Sequence, residues 1–116
     1  MWEFGCAQLH LGESFVDSMQ RDYMNDFGIE IVFFESMPEI VDQYSFIKEH
    51  DNGNYVPGLI FVAKYNTGKL KYDNSKHTHV EWLDERKLFK INKEDAVTGF
   101  HNNIKKALKY VDEKNK

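Results

Sequence analysis

Phe15, Met19, Tyr23 and Phe27 recur every four residues, with Val16 beside them. That spacing places the apolar positions on one face of a helix. Ser14 suits the N-cap, and Asp17, three positions on, is a capping-box partner one methylene short of Glu. Gly28 suits the left-handed position that closes a helix. Ile29, Ile31 and Phe33 then alternate, which predicts a strand over residues 29–34. Ahead of the helix, Trp2-Glu3-Phe4 reads as a short aromatic strand. A loop ending in Gly12-Glu13 leads from it to the helix.

Met37-Pro38 breaks the pattern. A strand over residues 44–50, the turn signal Asp51-Asn52-Gly53-Asn54 and a return strand over residues 55–65 predict a hairpin. The return strand is interrupted near Pro57-Gly58. Its run Leu59-Ile60-Phe61-Val62-Ala63 is continuously apolar, as expected of a central strand covered on both faces. Asn66-Thr67-Gly68 turns the chain. Residues 70–72 predict a short edge strand, residues 73–79 a polar loop and residues 80–83 another strand. Residues 84–88 suit a single helical turn. The final helix is expected from Asn92 or Lys93, with Val97, Phe100, Ile104, Ala107, Leu108 and Val111 as its apolar stripe.

Composition narrows the classes. A chain of 116 residues is expected to form one domain over 1–116, large enough to bury a core. With 41% hydrophobic and 29% charged residues it is globular rather than disordered. The formal net charge of −4 has both signs interspersed and no basic stripe, so no nucleic-acid partner is expected. One cysteine, Cys6, allows no internal disulfide and suits a reducing, cytoplasmic setting. No apolar run approaches membrane-spanning length and no signal peptide is visible, so no membrane partner is expected.

Residues 2–31 resemble the signature of the Nudix hydrolases. That signature runs Gly, five residues, Glu, seven residues, then Arg-Glu-apolar-any-Glu-Glu-any-Gly-apolar, and many members lead into it with Trp-Glu-Phe-Pro-Gly-Gly. Here Trp2-Glu3-Phe4 is followed by Gly5-Cys6-Ala7, and Ala7 takes the place of the signature Gly. Glu13, Arg21, Gly28 and Ile29 match without a gap. Asp22, Asn25 and Asp26 stand where the signature has Glu, and Tyr23 holds the apolar position. Residues 79–84 resemble the Trp-Leu strand and turn that commonly precede that family's last helix. The resemblance implies an α/β fold, a Nudix-like α/β/α sandwich with a mixed sheet. Family members carry several dozen residues ahead of the Trp-Glu-Phe lead-in, and these form the first strands. Here Met1 precedes Trp2. The expectation is an open sheet edge near Trp2, occupied by a second copy or a partner chain, or else a longer natural chain.

The same resemblance implies the chemistry. At about 100° per residue, Asp22 and Asp26 lie about 40° apart on a helix, with Asn25 about 60° to the other side of Asp22, so all three share a face. Family members hold Mg²⁺ or Mn²⁺ there, which neutralises a diphosphate and helps activate water. Asp22, Asn25 and Asp26 are thus the implied metal ligands. Asp22 and Asp26 become the implied catalytic carboxylates, with Glu13 in support. Asp reaches one methylene less far than Glu and Asn25 is neutral, so the implied site is weak and favours Mn²⁺. The alternative is an ordinary solvated helix face. Glu13 and Arg21 are implied to pair and hold the loop against the helix. Tyr44, Phe46 and Tyr55 are candidates to stack on a nucleobase, or else sheet and core residues. His77-x-His79 is a weak zinc pattern. Two functions follow from this reading. One is a metal-dependent hydrolase of a nucleoside diphosphate linked to another moiety, weakened by the altered signature. The other is an inactive Nudix-like module that binds a nucleotide derivative or a protein.

Overall fold

The computed structural model describes residues 2–5, 7, 9–47, 55–73 and 79–115; for residues 44–47 and 55–57 it describes the backbone only. The architecture is α/β, with three helices and two two-stranded antiparallel sheets among these residues. Helix α1 spans Phe15–Phe27 and strand β1 Ile29–Phe33. Strands β2 (Asp42–Ile47), β3 (Tyr55–Ile60) and β4 (Ala63–Gly68) follow. Helices α2 (Glu85–Lys90) and α3 (Phe100–Lys114) complete the order. The chain gathers into two compact units: Met1–Glu3, Glu39–Val62 and Asp84–Lys116 in one, Phe4–Pro38 and Ala63–Leu83 in the other.

The second of these units is built on α1. The Ser14 hydroxyl accepts from the Asp17 N–H at 3.1 Å and so caps the first turn. Gly28 closes the helix with φ 72° and donates to the Met24 carbonyl at 3.0 Å. The chain turns directly into β1, whose Ile29 and Ile31 are buried while Glu30 faces water. Phe27, Ile29 and Ile31 form the core, with Met19, Tyr23, Phe33, Ala63, Leu70 and Val80 packed around it. Ser18 is the most buried residue of α1, and its hydroxyl donates back to the Phe15 carbonyl at 2.9 Å. The Gln20 amide donates to the Ile31 carbonyl at 3.1 Å, which ties helix to strand.

Strand β4 runs antiparallel to β1, pairing Ile29 with Gly68 and Phe33 with Ala63, with an irregularity between Glu30 and Ile31. Gly68 sits at φ 111° against the Gly28 carbonyl, and a Cβ there would also stand 2.9 Å from the Ile29 Cα. Those neighbours are backbone and cannot swing aside. Gly68→Ala is therefore expected to destabilise the chain by about 1–3 kcal/mol, the usual range for a strained backbone residue. A urea titration giving an unchanged midpoint would contradict this close approach.

In the first unit, β2 and β3 form the expected hairpin, with Asp42 opposite Ile60 and Ile47 opposite Tyr55; the turn signal 51–54 lies outside the described residues. Pro57 lies opposite Ser45 in β3, a strand of a two-stranded ladder, and edge strands are where proline is found in sheets. Asp84 caps α2, its carboxylate accepting from the Lys87 N–H at 2.9 Å.

Several expectations are corrected. Residues 59–63 are not one covered central strand. The apolar run belongs to two strands of different sheets, β3 ending at Ile60 and β4 starting at Ala63, and Leu59 is 43% exposed. Both ladders are antiparallel, where a mixed sheet was expected. Residues 70–72 and 80–83 are in no strand, although the Lys71 N–H donates to the Phe27 carbonyl at 2.8 Å. Trp82 is 58% exposed and meets Tyr65 edge-on, with ring centroids 5.4 Å apart. The final helix starts later than Asn92. A 3₁₀ turn covers Lys93–Asp95, and Gly99, at φ 81°, sets the break before Phe100. Trp2 makes a single parallel bridge to Ala96: its N–H donates to the Asp95 carbonyl at 2.6 Å, and its carbonyl accepts from the Val97 N–H at 3.0 Å. The Trp2 backbone thus has partners within its own unit.

Candidate functional site

The loop before α1 folds on itself at Gly12, whose φ of 83° favours glycine. The turn brings Glu13 back onto His10. The Glu13 N–H donates to the His10 carbonyl at 3.1 Å, and the His10 N–H donates to the Glu13 carboxylate at 2.7 Å. Arg21, two turns into α1, projects toward the same point. Its Nη1 lies 2.5 Å from both Glu13 carboxylate oxygens, and its Nε donates to Asp22 Oδ1 at 2.9 Å. The exposed His10 ring lies alongside, with Nδ1 3.3 Å from Arg21 Nη1.

The electrostatics follow from this geometry. The Arg21 hydrogen bond, then the His10 N–H, hold the Glu13 carboxyl below its ordinary value of 4.5. Asp22 first and Glu13 second push the Arg21 guanidinium further toward its charged form. One cation is thus shared between two carboxylates, in charge-assisted hydrogen bonds that fix the loop to the helix. All three side chains keep partial contact with water, at 20–29% exposure, so the cluster is a brace at the surface and not a buried charge.

Asp22 and Asp26 are half-buried, while Asn25 is exposed. A divalent ion needs carboxylate oxygens turned toward it at about 2.0–2.1 Å for Mg²⁺. Of the implied ligands, Asp22 has one oxygen on Arg21, Asn25 is a neutral amide and Asp26 is a half-buried carboxylate. Among the described residues no group of three or more His, Cys, Asp or Glu is arranged to hold a metal ion.

The other candidates lie elsewhere. Tyr44, Phe46 and Tyr55 are on the β2–β3 hairpin of the other unit, and their side chains are outside the described residues. His50, His77 and Cys6 are also outside the described residues; His79 stands 3.5 Å from Glu81, both exposed. Sequence reasoning assigned His10 no role, although Gly12 two residues on was the available signal for the turn. It also missed a polar tie in the first unit, where Asp42 meets Asn103 and Lys106 of α3. A link across 61 residues leaves no local pattern.

No family model, curated protein or solved structure matches this chain. Among the described residues no helix is long and apolar enough to cross a membrane.

The brace makes a prediction. Glu13 is held below its ordinary pKa, so its pairing contributes stability that is full above 4.5 and is lost as pH falls through the lowered folded value. Arg21→Ala is expected to move the Glu13 titration back up toward 4.5 and to expose the His10 amide to fast hydrogen exchange. NMR titration of the His10 N–H reads both, and an unmoved midpoint would remove Arg21 from the account.

Proposed function

We propose that this chain is a non-catalytic, Nudix-like binding module, taking a nucleotide derivative or a protein, rather than a working diphosphohydrolase. One observation carries this reading: of the two carboxylates implied as metal ligands, Asp22 already gives an oxygen to Arg21 Nε, and both reach one methylene less far than Glu. The exposed, neutral Asn25 supports it further. A hydrolase of this class draws on a divalent ion for charge neutralisation and water activation, and a guanidinium supplies no coordination sites for water. The loop and helix resemble the Nudix signature in register, and the α/β/α sandwich belongs to this reading as its expected architecture.

The test is a hydrolysis screen over nucleotide sugars, dinucleoside polyphosphates, ADP-ribose and nucleoside triphosphates, each with Mg²⁺ and Mn²⁺. The expected result is no metal-dependent turnover above that of Asp22→Ala/Asp26→Ala. The folded triple variant Asp22→Glu/Asn25→Glu/Asp26→Glu is expected to gain nothing. Wild-type turnover with either metal, abolished by Asp26→Ala, would overturn the reading in favour of the hydrolase.

A further inference from the structure

We draw no further inference here: the strongest candidate, the groove of about 720 Å³ at the start of α3 lined by Lys93, Thr98, His101 and Lys105, rests on a helix N-terminus with exposed lysines, and its one buried side-chain nitrogen without a hydrogen-bond partner among the described residues, His101 Nε2, is shut off from solvent and so points to no ligand.

Discussion

Phe27→Ala is expected to cost about 3–5 kcal/mol, the usual loss for emptying a buried phenylalanine site. Phe27 is 6% exposed at the last position of α1 and forms the core of its unit with Ile29 and Ile31. Its ring meets that of Tyr23 with centroids 5.2 Å apart at 59°, and Gly5 approaches it so closely that a Cβ there would clash. The surroundings cannot easily close over the gap. Gly28 ends the helix at the next residue, the Phe27 carbonyl accepts from the Lys71 N–H, and β1 is paired to β4. Each restraint holds a wall of the cavity in place, so transfer and cavity costs add. Domains are stable by only about 5–15 kcal/mol, so this one truncation takes a large share. Phe15→Ala is the control, at the other end of the same apolar spacing. Phe15 is 46% exposed, and its loss is expected within about 0.5 kcal/mol. Urea denaturation followed by circular dichroism measures both. Equal costs would refute the burial difference along α1.

Asp42→Ala is expected to cost about 1–3 kcal/mol, because it strands a buried amide. Asn103 is 3% exposed in the first turn of α3, and its Nδ2 donates to Asp42 Oδ2 at 2.5 Å. Asp42 Oδ1 accepts from Lys106 Nζ at 3.0 Å and from the Gln43 N–H at 2.8 Å. Removing the carboxylate leaves Asn103 without its acceptor, out of reach of water. Asp42→Ala/Asn103→Leu is expected to recover part of the loss, since both polar partners are then gone. Burial pushes the Asp42 carboxyl up, but the Gln43 N–H, Lys106 and Asn103 outweigh it and hold the group below its ordinary 3.8. A depressed carboxyl contributes stability above 3.8 that is lost as pH falls through its folded value. The gap between wild type and Asp42→Ala should therefore narrow as pH is lowered below 3.8. A gap that stays constant through that window would remove the carboxylate's charge from the tie.

How much of this was legible beforehand differs between fold and site. The ends of α1 could be read residue by residue. Ser14 and Gly28 act through their own side chain or own φ, and such signals need no distant partner. The Asp84 cap and the β2–β3 hairpin are local in the same sense. The apolar run over residues 59–63 was not decidable from its pattern. Five apolar residues in a row describe one covered strand, or equally the end of one strand and the start of another; the pairing partners choose between them, and these lie far off in sequence. The candidate site divides the same way. Register alone identified Glu13, Arg21, Asp22 and Asp26 as residues worth following.

The sequence by itself determined where α1 begins and ends, which residues of β1 face inward, and that Asp22, Asn25 and Asp26 share one face of the helix. The tertiary structure decided that Phe27 is core while Phe15 meets water, and that Arg21 holds the carboxylates of Glu13 and Asp22. The reason is physical. Periodicity reports which positions share a face, not what covers that face, and charge chemistry turns on separations of a few ångströms that only the folded loop at Gly12 brings about.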